Sequence, residues 1–373
     1  MNIGFDAKRL FLNKTGLGNY SRFVVDSLLS YYPNNQYFLY TPKTKSHKGT
    51  SQYFEGKNIH IIKPKGIFKF PFFNSIWRSL FMANDPSVEN LDIFHGLSHE
   101  LPVGLPKHVK KIVTVHDLIF LRFPKLFNPI DVWIYKKKLQ SACQKADVIV
   151  AISEQTKNDI MTFFGIDENK IKVIYQGCNK IYFDKVSDDK KKDIKTKYQL
   201  PDNFILNVGS IEERKNVGLL VEAISKIKQD IRPHVVLIGK RTAYTNKVEE
   251  LVRKYKLEEY VVILPYISFD DLSGIYQQAQ LFAYTSIIEG FGIPILEAMV
   301  SEIPALVPNG SCFHEVVGPN GMYYEQGNSD DLANKIKKLL SDDNSKLIVN
   351  QNNYLQRFFE DSIQKLYREV YCK

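Results

Sequence analysis

Two glutamates that lie eight positions apart, Glu289 and Glu297, enclose the stretch of this sequence best suited to bind a ligand. The stretch reads Glu-Gly-Phe-Gly-Ile-Pro-Ile-Leu-Glu. Gly290 and Gly292 allow the backbone to turn sharply and to approach a ligand closely. Pro294 suits the first turn of a helix, where its missing N–H costs no hydrogen bond. We therefore expect Glu289 on a loop and Glu297 about a turn inside the helix that follows.

This arrangement predicts a site for a ligand that carries both phosphate and hydroxyl groups. Free N–H groups at a helix N-terminus attract an anion. The two carboxylates would repel phosphate, but they would accept hydrogen bonds from paired hydroxyls. A nucleotide diphosphate sugar offers both kinds of group. The alternative is a plain loop and a capped helix, in which Glu297 only complements the helix dipole.

A second candidate loop, residues 209–216, reads Gly-Ser-Ile-Glu-Glu-Arg-Lys-Asn. Its glycine closes a predicted strand, and Arg214 and Lys215 come just before a predicted helix. Arginine can hold phosphate oxygens with two hydrogen bonds, and lysine acts as a point charge, so the pair suits a diphosphate. A solvated loop with a surface Arg–Glu pair is the alternative. Both candidate loops follow strands of one predicted sheet, at the carboxyl ends where open α/β sheets bind ligands.

Two histidines follow strands in the first half of the chain, and a glycine pair follows the first strand. His95 and His116, the latter with Asp117 after it, lie at carboxyl ends of predicted parallel strands. The run Thr-Gly-Leu-Gly-Asn from residue 15 lies between a strand and a helix, as in a phosphate-binding loop. Each feature has a structural alternative, because a lone histidine can serve in a core and G-x-G can make a tight turn.

Strands and helices alternate along the chain, which predicts an α/β fold. Predicted strands cover residues 1–8, 36–41, 58–63, 91–95, 111–117, 147–152 and 170–175, then 204–208, 234–238, 261–264, 281–284 and 305–307. A charged stretch with few apolar residues separates the two series. We predict two Rossmann-like, doubly wound parallel-sheet domains facing a cleft, residues 1–182 and 183–354, with a last helix over 355–373 crossing back. Residues 9–19 are predicted as a loop before a helix at 20–31.

The net charge of +9 is carried unevenly. Residues 1–182 hold 25 Lys and Arg against 14 Asp and Glu, which gives +11, whereas residues 183–373 hold 25 against 27, which gives −2. No zinc knuckle, RNP-like motif or recognition-helix pattern supports nucleic-acid binding. A basic half beside a near-neutral half instead predicts that the first domain touches an anionic membrane surface.

The sequence predicts a cytoplasmic protein that is peripheral at the inner face of the membrane. No run of 18 apolar residues occurs, and the N-terminus reads as a strand and not as a signal peptide. The four cysteines are scattered, without the spacing of a metal site or a disulfide framework.

Residues 63–81 interleave four basic residues with six aromatic ones. One interpretation is an amphipathic surface segment that docks on lipid. The other is a loop and a core-packed helix with Trp77 and Leu80 inward. The sequence leaves both open.

Taken together, these motifs resemble the retaining glycosyltransferases of family GT4, which have the GT-B fold. The resemblance covers essentially the whole chain in order, and its most specific part is the E-x7-E stretch with its glycines. Residues 311–318, Ser-Cys-Phe-His-Glu-Val-Val-Gly, resemble a loop of bacterial O-antigen and capsule mannosyltransferases in this family. One position departs from the pattern, because many members have Arg after the glycine that ends the strand, where this chain has Ser210. Arg214 would supply that charge.

The resemblance implies roles for individual residues. Glu289 would hold hydroxyls of the donor sugar, Glu297 the ribose hydroxyls, and Lys215 the diphosphate as it departs. His116 would contact the donor sugar near its anomeric centre. The implied catalytic residues are His116, Lys215 and Glu289. The implied donor-binding residues are Gly16, Gly18, Gly209, Arg214, Lys215, Glu289, Gly290, Phe291, Gly292 and Glu297. The acceptor is assigned to His95 and Asp117, and contacts to the base are expected near residues 265–267.

The implied reaction transfers a hexose, mannose among the candidates, from a GDP- or UDP-linked donor to a hydroxyl of a glycan or a lipid-linked oligosaccharide in bacterial surface polysaccharide synthesis, such as that of lipopolysaccharide. The anomeric configuration would be retained by attack on the same face, with the leaving phosphate helping to deprotonate the acceptor. The family generally needs no metal, the chain has no Asp-x-Asp motif, and no cofactor is expected. Two alternatives remain: a phosphorylase or epimerase of similar build, and a non-catalytic scaffold that binds sugar nucleotides.

Overall fold

The computed structural model describes residues 1–13, 15–46, 49–265 and 267–372. The chain divides into two compact units. Unit 1 consists of Met1–Gly177 and Glu360–Lys373, and unit 2 consists of Cys178–Phe359.

In its described residues, unit 1 is built on a seven-stranded parallel sheet with the order β3-β2-β1-β4-β5-β6-β7. Its strands are β1 (Asn2–Asp6), β2 (Gln36–Tyr40), β3 (Ile59–Ile62), β4 (Ile93–Gly96), β5 (Lys110–Val115), β6 (Val148–Ala151) and β7 (Ile171–Val173). Its α-helices are α1 (Lys8–Leu12), α2 (Gly16–Tyr31), α3 (Asn74–Ile76), α4 (Ile119–Arg122), α5 (Pro129–Lys145), α6 (Glu154–Phe164) and α15 (Glu360–Cys372). The strand order reverses direction between β1 and β4, which is where such sheets bind ligands.

The described residues of unit 2 form a six-stranded parallel sheet with the order β10-β9-β8-β11-β12-β13. Its strands are β8 (Phe204–Val208), β9 (His234–Ile238), β10 (Val261–Leu264), β11 (Leu281–Ala283), β12 (Ala305–Asn309) and β13 (Met322–Glu325). Its α-helices are α7 (Asp188–Tyr198), α8 (Val217–Ser225), α9 (Ala243–Lys254), α10 (Phe269–Tyr276), α11 (Ile293–Val300), α12 (Phe313–Val317), α13 (Ser329–Ser341) and α14 (Ser345–Leu355). Here the order reverses between β8 and β11.

Continuous apolar runs explain why both sheets are parallel. Strands such as β6 and β9 are almost completely buried, and their sequences are accordingly rich in Val, Ile and Leu. The core of unit 2 packs α8, α9 and α13 against this sheet through buried side chains such as Leu220, Val248 and Ile336. The polar loops at the carboxyl ends of the strands are thereby held by a rigid frame.

The prediction of two Rossmann-like parallel sheets is confirmed, and every predicted strand is present. Three local predictions are wrong. Residues 9–19 are not a loop, because α1 and the first turn of α2 occupy most of them, with Leu10 and Phe11 buried. The short edge strand β13 was missed. The last helix is not continuous, because Phe359 adopts an extended conformation between a 3-10 turn and α15.

Within the described residues, no helix combines the length and the apolar character that crossing a bilayer requires.

Candidate functional site

Two loops of unit 2 meet at the reversal point of its sheet. One follows β8 and carries Lys215, and the other follows β11 and carries Glu289. Strands β8 and β11 are direct neighbours, with Leu281 opposite Ile205. Because their carboxyl ends lie side by side, the two candidate loops are neighbours as well.

Hydrogen bonds to backbone carbonyls connect these loops to each other. The N–H of Ile287 donates to the carbonyl of Arg214 at 2.9 Å. The hydroxyl of Thr285 donates to the carbonyl of Lys215 at 2.8 Å. In return, the guanidinium of Arg214 donates to the carbonyl of Ile288 at 2.7 Å. Neither loop can move without the other, so the charged side chains they carry are held in fixed positions.

The carboxylate of Glu289 is the centre of this site and is 9% exposed. Its Oε1 accepts hydrogen bonds from Lys215 Nζ at 2.5 Å, from Ser286 Oγ at 2.5 Å and from the hydroxyl of Tyr284 at 3.0 Å. Its Oε2 lies 2.8 Å from Nη1 of Arg214. Burial alone would raise the pKa of Glu289, but Lys215 and Arg214 outweigh it and lower that pKa to about 2. Glu289 is therefore ionised at neutral pH and balances two cations.

Glycine and proline set the start of α11 as the sequence predicts. Gly292 precedes the helix with a φ of 113°, a conformation that favours glycine. Pro294 lies in the first turn, where it removes no intrahelical hydrogen bond. Both carboxylates thus take their predicted positions, with Glu289 before the helix and Glu297 inside it.

Glu297 lies in surroundings opposite to those of Glu289. It is 6% exposed, and the hydroxyl of Tyr276 donates to its Oε2 at 2.9 Å. Burial raises the pKa of Glu297 to about 7, and the hydroxyls of Tyr276 and Tyr182 only moderate the shift. This carboxyl group therefore changes its charge near neutral pH, and the donors of a bound ligand would favour the ionised form.

His116 follows β5 in unit 1 and is 4% exposed. Burial lowers the pKa of His116 to about 3, with a further contribution from the neighbouring His99. The ring is therefore neutral at physiological pH. Its Nε2 lies 2.9 Å from the carbonyl oxygen of Leu97, which can only accept, so Nε2 carries the proton. Nδ1 is then an acceptor, and it has no partner among the described residues.

A second histidine, His99, packs directly on His116. The two rings are stacked with centroids 5.3 Å apart and planes at 12°. The backbone N–H of His116 donates to Nε2 of His99 at 3.2 Å, which places the proton of neutral His99 on Nδ1. His99 has a φ of 66°, in the left-handed region that costs a non-glycine residue about 1–2 kcal/mol. The pair offers one acceptor, Nδ1 of His116, beside one donor, Nδ1–H of His99.

Tyrosines in the interior of unit 1 pack against His116 and His95. The ring of Tyr20 meets that of His116 edge-on at 4.7 Å. Its hydroxyl lies 2.9 Å from Oγ1 of Thr114 and 2.6 Å from the hydroxyl of Tyr367 on α15. His95 has no exposed surface, and its two ring nitrogens lie 2.5 Å from the hydroxyl of Tyr371 and 2.8 Å from Thr114 Oγ1. These are the surroundings of a residue in the sheet core.

The remaining predicted residues of unit 1 are two glycines in the first turn of α2 and an aspartate after β5. Gly18 is required by packing, because a Cβ there would lie 1.8 Å from the carbonyl oxygen of Asn13. Gly16, in contrast, begins α2 and faces open space. Asp117 lies two residues before α4, and its Oδ1 accepts a hydrogen bond from the N–H of Ile119 at 3.1 Å.

Comparison with known proteins assigns the chain to a family. The model of Glycosyltransferase Family 4 matches residues 24–180, and that of Glycosyl transferases group 1 matches residues 188–356. Together they cover nearly the whole chain. The protein belongs to the family 4 glycosyltransferases. It is therefore an enzyme of the hexosyltransferase class that transfers a sugar from a nucleotide sugar.

Two curated relatives and one solved structure illustrate the likeness. O-antigen chain mannosyltransferase B of Escherichia coli is 29% identical over 268 residues, which are 71% of this chain and 69% of that protein. O-antigen chain mannosyltransferase RfbU of Salmonella typhimurium is 28% identical over 264 residues, 70% of this chain and 69% of the relative. The structure of Anabaena HepE in complex with UDP and glucose has a TM-score of 0.75 at 18% identity and covers 99% of both chains. It supports the GT-B fold.

Unit 2 of the glycosyltransferase brings most of the predicted donor-binding residues together. Glu289 contacts Arg214 and Lys215 directly, and the side chain of Lys215 passes over Gly209. Arg214 donates hydrogen bonds to the loop of Glu289 and to Glu212, whose Oε1 is 2.8 Å away. Its role toward a diphosphate, like the roles of the other site residues, stays a prediction. Tyr266, within the predicted base-contact segment, lies outside the described residues.

Sequence analysis missed several side chains of the glycosyltransferase that hold Glu289 in place. Tyr284 and Ser286 bind its carboxylate, and both stand in the polar run directly after β11, which is a signal for a ligand-binding loop. The thiol of Cys312 donates to the carbonyl of Phe291 at 3.0 Å. The hydroxyl of Ser311 accepts from the N–H of Glu289 at 3.2 Å. Ser311 and Cys312 lie far from Glu289 along the chain, and nothing in the sequence indicated that they contact its loop.

Across the described residues there is no group of three or more His, Cys, Asp or Glu side chains that could hold a metal ion.

Proposed function

We propose that this glycosyltransferase moves a hexose from a nucleoside diphosphate sugar to a hydroxyl of a glycan or lipid-linked acceptor, with retention at the anomeric carbon. The observation that supports the proposal most is the cluster of Lys215, Arg214 and Glu289 at the reversal point of the unit 2 sheet. A diphosphate would be held by the cations, and the sugar hydroxyls by the carboxylate. The hydroxyls of the ribose would donate to Glu297.

In the proposed step, the bond between the anomeric carbon and the β-phosphate oxygen breaks as a bond to the acceptor oxygen forms on the same face. The acceptor proton passes to the leaving phosphate, and the products are the glycoside and the nucleoside diphosphate. Lys215 stabilises the negative charge that develops on the leaving group, because a fixed ammonium in a water-poor site needs no reorganisation during the reaction. Nδ1 of His116, as an acceptor, would bind a hydroxyl of the donor sugar.

Mannose is the proposed sugar. The support is the similarity to two O-antigen mannosyltransferases at 29% and 28% identity. A GDP-linked donor for surface polysaccharide synthesis follows from that proposal, and UDP-linked hexoses are the second choice.

Calorimetric titration with GDP, UDP, ADP and dTDP in the absence of metal tests the donor site first. We expect one diphosphate to bind selectively, and turnover with sugars linked to that nucleotide then tests the reaction. Glu289→Ala and Lys215→Ala should each lower the transfer rate by about 10²–10³-fold. A matched control is Lys247→Ala, because this lysine is exposed and lies in the same unit. Binding of all four nucleotides with equal affinity, or near-normal transfer by either site variant, contradicts the assignment.

A further inference from the structure

Unit 1 exposes an unusual amount of apolar side chain in two segments. Segment A, residues 63–81, exposes Ile67, Phe70, Phe72, Ile76, Leu80 and Phe81. Segment B, residues 122–138, exposes Phe123, Leu126, Phe127, Ile130, Trp133, Ile134 and Tyr135. The largest values are 82% for Phe72, 68% for Ile130, 64% for Phe70 and 63% for Trp133. More than half of the exposed large hydrophobic side chains in the described chain lie in these two segments, and such concentration marks an interaction surface.

Segment A combines the two structures that its sequence left open. Trp77 packs inward at 5% exposure, as a core-packed helix requires, whereas Leu80 is 52% exposed and does not. Arg78 is also buried, and its Nη2 lies 2.5 Å from Oδ2 of Asp6 at the end of β1. The segment is therefore anchored to the sheet on its inner side, while Phe70 and Phe72 remain exposed.

The two segments are neighbours on the surface of unit 1. The carboxylate of Glu100 lies 3.6 Å from Nη2 of Arg78 in segment A and 3.8 Å from Nζ of Lys138 in segment B. The N–H of Val103 also donates to the carbonyl of Ser79 at 2.8 Å. Segments A and B thus flank one loop of unit 1.

The charge of this surface selects its partner. Segment A contains three lysines and one arginine and no acidic residue. Segment B contains four lysines and one arginine against a single acid, Asp131. Pairing of this surface with its copy on a second chain would place like charges opposite each other. An anionic surface with an apolar interior complements both properties, and Trp and Tyr rings are favoured at such an interface.

We propose that segments A and B together form a docking surface for an anionic lipid bilayer. The apolar side chains enter the boundary between headgroups and acyl chains, while the lysines contact anionic headgroups. This inference goes beyond the sugar transfer and does not depend on it, because binding is measured without any donor. Its failure would leave the glycosyltransferase assignment intact.

The two tryptophans of the chain provide a built-in probe. Trp133 is exposed in segment B and Trp77 is buried, so a bilayer should change the emission of Trp133 alone. We expect the full-length protein to show blue-shifted emission, and less quenching by acrylamide, with phosphatidylcholine vesicles that contain phosphatidylglycerol. Pure phosphatidylcholine vesicles should have little effect. Trp133→Phe should abolish the spectral change while cosedimentation with the vesicles persists.

Paired substitutions separate the apolar and the charge contributions. Ile130→Ser with Phe72→Ser removes one highly exposed apolar side chain from each segment and should weaken cosedimentation about tenfold or more. Lys136→Glu with Lys137→Glu should weaken it similarly, and only on anionic vesicles. The controls lie on unit 2: Ile231→Ser with Val349→Ser, and Lys185→Glu with Lys228→Glu, all at exposed positions. Unchanged near-ultraviolet circular dichroism verifies folding.

Three outcomes would overturn the proposal. The first is a wild-type protein that ignores anionic vesicles. The second is loss of binding by the unit 2 controls as large as that by the segment variants. The third is a wild-type dimer in light scattering that Ile130→Ser with Phe72→Ser converts to a monomer, because the surface would then bind a second copy.

Discussion

Replacing Glu297 with glutamine should stabilise unit 2 at alkaline pH even though it removes a residue of the proposed donor site. The carboxyl group has a pKa raised from 4.5 to about 7 by burial. A folded-state pKa above the unfolded one means that the fold binds the proton more tightly. The stability contributed by protonation is complete below about pH 4.5 and is lost as pH rises through 7. At about 1.4 kcal/mol per pH unit, the loss approaches about 3 kcal/mol.

Glutamine keeps the shape of the protonated side chain and can still accept the hydrogen bond of Tyr276, but it never ionises. We expect the advantage of Glu297→Gln over the wild type to grow by about 2–3 kcal/mol between about pH 5 and about pH 8.5. Comparing the two proteins cancels the titration of all other groups.

The assay must report on unit 2, and both tryptophans lie in unit 1. Native-state hydrogen exchange of peptides from β8 and β12 under increasing urea gives the opening free energy of the relevant sheet. An advantage that is absent at alkaline pH, or equal at both pH values, would refute the reasoning that burial holds this carboxyl protonated.

Three further predictions concern residues of the candidate sites in the two units. Lys215→Met should weaken binding of the nucleoside diphosphate about tenfold or more in calorimetry, while exposed Lys247→Met should not, because only Lys215 faces Glu289. His99→Asn tolerates the left-handed backbone but lacks the ring stacked on His116, so turnover should fall about tenfold with an unchanged circular dichroism spectrum, and normal turnover would contradict a supporting role. Tyr20→Phe removes a hydroxyl with two buried partners and should cost about 1–3 kcal/mol in urea denaturation followed by tryptophan fluorescence.

The architecture was readable from the sequence because each sheet is made of short apolar runs separated by helices. The runs that became β5 and β9 could belong only to buried parallel strands, and the polar residues after them had to lie at one sheet edge. The edge strand β13 carries no such run, since only one of its four residues is fully buried. The local sequence pattern therefore did not predict β13, because the formation of this strand depends on tertiary contacts.

The site was predictable where spacing within one loop mattered. Gly292 and Pro294 fixed the positions of both carboxylates relative to α11. The sequence predicted that the loops of Lys215 and Glu289 lie at one sheet edge, but it did not predict the direct contacts of Glu289 with Lys215, Tyr284 and Ser286, which depend on the neighbouring turns of the fold. His99 shows the same limit, since its stacking on His116 requires a left-handed backbone that no residue type announces. Contacts of this kind can be identified only once the complete structure is known.

The break at Phe359 has a consequence for the order in which the chain acquires its structure during synthesis. Unit 2 is one uninterrupted segment, so it can complete its sheet as soon as its last residues leave the ribosome. Unit 1 begins to emerge first, yet it lacks α15 until the residues that follow unit 2 have been synthesised. Until then the hydroxyl of Tyr20 lacks its partner Tyr367, and the ring of His95 lacks its partner Tyr371. The earlier half of the nascent chain is thus the later one to finish folding.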